Sequence, residues 1–95
     1  MNVISYRAIR EFVESYTDAE SALKAWYDLA KKARWRNLAE VRQVYPHADL
    51  VGERTVFNIR GNNYRLIVYI NYEYQTIYIK AVLTHAEYDQ AKWKT

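Results

Sequence analysis

The chain has 95 residues, 51% of them hydrophobic, and a formal net charge of +3 at pH 7. This size allows one small domain with one core, spanning residues 1–95, and excludes a second domain. The absence of cysteine excludes disulfides, thiolate metal sites and cysteine nucleophiles, and it agrees with a reducing compartment. No apolar run approaches the roughly 20 residues that span a bilayer, and the start of the chain is too charged for a signal peptide. We therefore expect a cytoplasmic protein with no membrane contact.

The amino-terminal third predicts one short strand and two helices. Residues 2–5 are typical of a brief strand. In residues 6–16, apolar side chains recur at intervals of three and four, which predicts a helix with one buried face. A second helix with a similar apolar stripe is expected to start at Thr17 or Asp18 and to extend to about Ala33.

The middle and the end of the chain predict a short helix followed by strands. Asn37 is placed to cap a third helix, which must end before Pro46 because the residue before a proline disfavours helical angles. Alternating side chains predict strands over residues 48–51, 55–60, 64–71 and 76–83, with a hairpin loop at 61–63. A closing helix is expected over residues 86–94.

This order of elements indicates the α+β fold class. Helices that come first and strands that come later usually form separate layers. We therefore expect a two-layer fold in which the amino-terminal helices pack on one face of a small, mostly antiparallel β-sheet.

Strand alternation sorts the polar residues of the last third onto the other face of that sheet. The residues expected to face the helices are Leu66, Val68, Ile70, Ile77, Ile79 and Ala81. Those expected on the open face are Arg65, Tyr69, Asn71, Tyr78 and Lys80, and Val82 is expected to point to the same side of the last strand. Cations and phenols on a strand face bind single-stranded RNA through stacking and phosphate contact. The same composition is also ordinary for half-exposed strands, which favour tyrosine and threonine.

Basic residues cluster in two parts of the sequence. Lys31, Lys32 and Arg34 follow one another without an intervening acid, and Arg60 and its neighbours form the second cluster. Such clusters are expected of a surface that faces phosphates, although they also occur as solvated cations at helix ends.

His85 is the candidate for acid–base chemistry. It follows the last predicted strand, where a side chain reaches the rim of the sheet, and histidine exchanges protons near neutral pH. Tyr88 lies three residues on, which puts it on the same side of a helix. The alternative is a structural histidine, which is the commoner case. His47, beside Pro46, lacks such neighbours and is interpreted as a surface residue.

The sequence has no signature of other common chemistry. With only two glycines, it offers no phosphate-binding loop, dinucleotide fingerprint or nucleophile elbow. RNA cleavage needs none of these, because the 2′-hydroxyl attacks the adjacent phosphate when a base, an acid and cations are present. We therefore expect no metal and no cofactor.

Several segments of the sequence resemble one protein family. They are VFNIRGNNYRLIV, INYEY, YIK and THAEYD in the second half, and VIS, DAESALKAWYDLAKKARW and VYPHADLVG in the first. The sequence is similar to the HigB family of bacterial type II toxin–antitoxin toxins, in the RelE-like superfamily. The resemblance implies a RelE-like fold and a cytoplasmic endoribonuclease that cleaves mRNA at the ribosome and so inhibits translation. It also implies a partner, a HigA-like helix-turn-helix antitoxin. The antitoxin would bind operator DNA, and the toxin would be attached to that DNA only indirectly, through the antitoxin.

The resemblance implies roles for individual residues as well. The catalytic candidates are His85 and Tyr88 for proton transfer, Arg65 and Lys80 for charge stabilisation, and Asn71 for placing the scissile nucleotide. Arg60 matches a basic position of the family and is a candidate for RNA binding. The other RNA-binding candidates come from the charge pattern and the strands themselves, and they are Tyr69, Asn58, Lys31, Lys32 and Arg34. Tyr69 and Leu83 depart from the arginine and glycine common in the family. This departure leaves two alternatives, a non-catalytic RNA- or ribosome-binding module and a regulator that acts only through the antitoxin.

Overall fold

The computed structural model describes residues 1–90 and Trp93. Its elements are β1 (Asn2–Ile4), α1 (Arg7–Ser15), a 3-10 turn (Thr17–Ala19), α2 (Glu20–Lys32), α3 (Leu38–Val44), β2 (Asp49–Val51), β3 (Arg54–Ile59), β4 (Tyr64–Asn71), β5 (Thr76–Thr84) and α4 (His85–Asp89). The strand order is β1-β5-β4-β3-β2, and only the β1–β5 pair is parallel in this sheet. The expected α+β arrangement is confirmed. Within the described residues, no helix is long and apolar enough to cross a membrane.

The helix ends follow local chemistry where the sequence supplies it. The Asn37 side chain accepts a hydrogen bond from the Glu40 backbone nitrogen at 3.0 Å, so the predicted cap of α3 is confirmed. Tyr45, before Pro46, leaves the helical region, with φ −121° and ψ 83°. The closing helix starts one residue earlier than predicted and, as α4, spans only five residues. Residues 91, 92 and 94 of that prediction lie outside the described residues.

The main core fills the space between the helices and one face of the sheet. Leu23 and Trp26 of α2 point into it, and both are 0% exposed. Their partners on the sheet include Phe57, whose ring meets Trp26 edge-on at 5.5 Å between centroids and Tyr45 at 5.4 Å. Edge-to-face packing of this kind adds to the free energy gained from burial alone.

A β-bulge in β5 changes which side chains share a face. Ile67 of β4 pairs with Ala81 of β5, whereas the next residue, Val68, pairs with Ile79. Lys80 is therefore the extra, unpaired residue of the bulge. Beyond the bulge, Val82 packs against the helix-side core opposite Leu66, while Ala81 lies on the other face. The predicted orientations of Ala81 and Val82 are therefore wrong, because one inserted residue reverses the alternation.

The face away from α1–α3, here called the distal face, is only partly open. It carries Arg65 and the apolar Val56 and Ile67, which are 7%, 3% and 0% exposed. Trp93 lies beside this face, since its carbonyl accepts a hydrogen bond from Arg54 at 3.1 Å. The prediction that Arg65 is exposed on an open face is thus wrong, because strand alternation gives the direction of a side chain and not what later packs over it, whereas Lys80 is exposed as predicted.

Candidate active site

His85 is held at the rim of the distal face by three contacts. It is the first residue of α4, and its backbone nitrogen donates to the Asn63 carbonyl at 3.0 Å. Its Nδ1 lies 3.1 Å from Arg65 Nη2, and its Nε2 lies 3.2 Å from Asp89 Oδ2. The His85 side chain is 47% exposed and that of Asp89 is 61% exposed. An imidazole in this position is accessible to a substrate and fixed in orientation.

A capping box determines where α4 begins and hence where His85 lies. The Thr84 hydroxyl accepts from the Glu87 backbone nitrogen at 3.2 Å, and the Glu87 carboxylate accepts from the Thr84 backbone nitrogen at 2.9 Å. This reciprocal pair satisfies two backbone N–H groups that a helix start otherwise leaves unpaired. The spacing of threonine and glutamate is a sequence signal for a helix starting at His85.

Replacing Thr84 with alanine should loosen the start of α4. We expect the loss of this cap to cost about 0.5–2 kcal/mol of local stability, because the Glu87 N–H loses its acceptor. Hydrogen exchange at the Glu87 amide should become faster, and Thr84→Ser should retain wild-type exchange because serine keeps the hydroxyl. Equal protection in the alanine variant would contradict this role of the cap.

Arg65 is buried and bonded within the protein. Its Nη1 donates to the carbonyls of Asn62 and Tyr64, both at 3.1 Å. Its Nη2 donates to Asn62 Oδ1 at 2.6 Å and also contacts His85. These four contacts use all four N–H bonds of the two terminal nitrogens. Arg65 thus connects the β3–β4 turn to α4.

Tyr88 packs against this arrangement from the carboxy-terminal side. The Arg65 guanidinium carbon lies 5.4 Å from the centre of the Tyr88 ring, and Tyr88 stacks on Trp93 with 4.9 Å between centroids. The Trp93 indole nitrogen donates to the Tyr88 carbonyl at 3.0 Å. His85 and Tyr88, which the sequence predicts together, therefore both contact Arg65, which the sequence predicts on the sheet face.

Asp18 anchors the β3–β4 turn from the helical layer. It accepts hydrogen bonds from Arg60 Nη1 at 3.1 Å and from the Tyr64 hydroxyl at 2.5 Å. The hydrogen bond to the Asp18 carboxylate raises the pKa of Tyr64, and burial raises it further. Arg60 has a positive φ of 52°, an angle that non-glycine residues seldom adopt. The predicted RNA contact Arg60 is therefore ion-paired within the protein.

A second group of candidate residues lies near the middle of the distal face. Lys80 lies 5.7 Å from the centre of the Tyr78 ring, which stacks on Tyr69 with 6.1 Å between centroids. A cavity of about 260 Å³ is lined by Glu53, Arg54, Tyr69 and Lys80. Lys80 precedes His85 by five positions, which at about 3.3 Å per residue is roughly 16 Å. An RNA strand would have to run along β5 to reach both.

Other candidates are not brought to His85. Asn58 lies near the site, because it pairs directly opposite Arg65. Asn71 does not, because it ends β4 at the other end of the strand, roughly 20 Å from Arg65 at about 3.3 Å per residue. Its Oδ1 accepts from the Tyr74 backbone nitrogen at 3.0 Å. The structure therefore gives Asn71 a turn contact and does not place it beside His85.

The cluster Lys31, Lys32 and Arg34 also lies away from His85. These residues line a cavity of about 550 Å³ beside Gln75, which precedes β5, whereas His85 follows the last residue of β5. The two basic regions are therefore at opposite ends of that strand and form separate surfaces.

Sequence reasoning missed three residues that hold the site. Asn62 binds Arg65, Asp89 binds His85, and Asp18 binds the turn. Only Asp89 had a signal, since it lies four residues after His85 and therefore on the same side of a helix. Within residues 1–90 and Trp93, no three His, Asp or Glu side chains lie close enough to share a metal ion.

Comparison with known proteins identifies the family. A family model described as HigB_toxin, RelE-like toxic component of a toxin-antitoxin system, matches residues 19–91. The chain is 31% identical over 93 residues to the mRNA interferase HigB of Escherichia coli O6:H1 (strain CFT073), covering 95% of this chain and 90% of that protein. It is 29% identical over 92 residues to the mRNA interferase toxin HigB of Escherichia coli K12 and to the mRNA interferase HigB of Shigella flexneri, covering 94% of this chain and 88% of each. The resemblance seen in the sequence is confirmed, and the chain belongs to the HigB family of RelE-like toxins.

Proposed function

We propose that this protein is an endoribonuclease that cleaves mRNA, without a metal ion and on the ribosome, as the toxin of a toxin–antitoxin pair. The observation that carries this proposal is His85, held accessible at the rim of a cation-bearing sheet face in a member of the HigB family. The named relatives, which are mRNA interferases, support the same activity.

In the proposed reaction, the 2′-hydroxyl oxygen attacks the adjacent phosphorus and the 5′-oxygen of the next nucleotide leaves. One proton leaves the 2′-hydroxyl and another reaches the departing oxygen, and we assign these two transfers to His85 and Tyr88. The products are a 2′,3′-cyclic phosphate and a 5′-hydroxyl end. The exposed Asp89 gives way to the substrate, since a contact between two solvent-exposed side chains contributes little free energy.

The remaining candidates are proposed to bind the RNA strand. Lys80 and Tyr69 are assigned to nucleotides beside the scissile one, because Lys80 is roughly 16 Å from His85 along β5 at about 3.3 Å per residue. Arg60 is assigned to a phosphate near the turn, where the phosphate would compete with Asp18. Asn58, opposite Arg65, completes this side of the site.

The proposal includes the partner and the compartment. A toxic component of a toxin–antitoxin system requires an antitoxin, and we propose a HigA-like helix-turn-helix protein that also carries the complex to operator DNA. The cytoplasm is the proposed location because mRNA and ribosomes are there.

One observation favours an alternative function. Both ring nitrogens of His85 and the terminal nitrogens of Arg65 already have partners within the protein. A protein that binds RNA or the ribosome without cutting can keep these contacts. A nuclease must instead break the contact between His85 and Asp89 so that His85 can contact the substrate.

Expression without an antitoxin separates the two functions. We expect growth to stop within the first generations, translation to fall, and new mRNA ends to appear in sequencing of cellular RNA. Ribosome profiles should show the protein co-sedimenting with ribosomes. Co-sedimentation with intact mRNA would favour the non-cleaving module, and intact mRNA without co-sedimentation would contradict both functions.

A further inference from the structure

We propose that Arg65 is a positioning residue that orients His85, and not a ligand of the RNA phosphates. This inference rests on the proposed function, because it concerns how the site of that reaction is held. Its basis is the burial of Arg65 and the internal partners of all four N–H bonds on its two terminal nitrogens. A cation in that state has no terminal N–H bond left for a phosphate unless the β3–β4 turn comes apart.

The contact with His85 also determines where the ring carries its proton. A guanidinium only donates hydrogen bonds, so Nδ1 of His85 must accept the bond from Arg65 Nη2. The proton of the neutral ring is then on Nε2, from which it is donated to Asp89. Nε2 is the exposed side of the ring, and His85 therefore meets the substrate as a hydrogen-bond donor. Of the two proton transfers, this arrangement gives His85 the one to the departing 5′-oxygen and leaves the one from the 2′-hydroxyl to Tyr88. Exchanging the Asp89 carboxylate for a phosphate oxygen keeps that bond without breaking the contact with Arg65.

The shape of the guanidinium matters for this role as well as its charge. Arg65 reaches Asn62 with both terminal nitrogens, at 3.1 Å and 2.6 Å, and reaches His85 with the second of these nitrogens. A lysine would retain the positive charge but has one nitrogen and cannot span these partners. Displacing a reacting group by about 1 Å costs about 100-fold in rate, so loosening His85 should be visible in catalysis.

The imidazole nitrogens of the full-length protein provide the first test. At alkaline pH, where imidazoles are neutral, nitrogen-15 spectra should show His85 with a protonated Nε2 and an unprotonated Nδ1. His47 serves as the internal reference, and it should show averaged signals. In Arg65→Lys, the His85 signals should move towards those of His47. Averaged signals for His85 in the unsubstituted protein would overturn the proposal.

Two neighbouring asparagines supply a matched pair of variants that leave Arg65 in place. Asn62→Ala removes the side-chain acceptor of Arg65 and should broaden or shift the His85 signals. Asn63→Ala keeps the backbone carbonyl that binds His85, and its side chain makes no hydrogen bond with the described residues, so it should leave the spectrum unchanged. Equal spectra for both variants would overturn the proposal even if Arg65 variants fail to fold.

Salt dependence distinguishes positioning from phosphate binding. Each phosphate contact contributes about 0.7 to the slope of log affinity against log salt for single-stranded RNA. With a 2′-O-methyl RNA that cannot be cut, Arg65→Gln should leave the slope unchanged, whereas cleavage of mRNA in a translation extract should fall about 10–100-fold, and equally in Arg65→Lys. A slope reduced by about 0.7 in Arg65→Gln, or full activity in Arg65→Lys, would overturn the proposal. Absence of cleavage by the unsubstituted protein, with the expected His85 spectrum, would count against the proposed function alone.

Discussion

Replacing His85 with alanine should lower the rate of mRNA cleavage by about 10²–10⁴-fold, the range for loss of a group that transfers protons. The side chain is 47% exposed, so its removal opens no cavity in the core. Growth arrest on expression should be relieved while the protein still accumulates. Cleavage is measured as the rate at which mRNA ends form in a translation extract supplied with the purified protein.

His47→Ala is the matched control for this variant. His47 is exposed, lies between α3 and β2, and belongs to no contact of the site. Its loss should change neither the cleavage rate nor the melting temperature. If His85→Ala is as toxic as the unsubstituted chain, His85 does not belong to the reaction centre.

Replacing Phe57 with alanine should lower the free energy of unfolding by about 3–5 kcal/mol. Phe57 is 0% exposed and its ring contacts both Trp26 and Tyr45, so the substitution leaves a cavity between α2, α3 and the sheet. Since small domains have about 5–15 kcal/mol of stability in total, this loss is a large part of it. Urea denaturation followed by tryptophan fluorescence measures the change.

Tyr74→Ala is the control for the loss of an aromatic ring. Tyr74 is 74% exposed, and its substitution should change the free energy of unfolding by less than about 0.5 kcal/mol. A loss below about 1 kcal/mol in Phe57→Ala would show that the core relaxes around the gap. The Phe57 variant should lose toxicity through lower abundance, whereas the His85 variant should lose it while folded.

The fold was predictable where local chemistry decides it. Asn37 and Pro46 specify the two ends of α3, and the alternation of apolar residues in β4 gave its bounds correctly. Helical periodicity placed Trp26 in the core. In these segments, the residues that determine the structure are near neighbours in the sequence. Apolar residues repeated every three or four positions therefore suffice to predict a helix, and those repeated every two positions suffice to predict a strand.

The site depended on contacts that such patterns do not contain. The bulge at Lys80 is one inserted residue, which alternation cannot reveal, and it changed the faces of Ala81 and Val82. Arg65 was assigned to the correct face, but it is covered by contacts with Asn62 and Tyr88 that alternation does not contain. Residue type suggested a shared site for Asn71 and His85, whereas the antiparallel pairing of β4 with β5 places them at opposite ends.

The chemistry of the cut ends tests the central claim most directly. Cellular mRNA is sequenced after expression of the chain without antitoxin, with libraries that capture either 5′-hydroxyl or 5′-phosphate ends. Attack by the 2′-hydroxyl predicts new 5′-hydroxyl ends, paired with 2′,3′-cyclic phosphates, and their loss in His85→Ala. New ends that carry 5′-phosphates, or ends no more frequent than in cells with an empty vector, would contradict it.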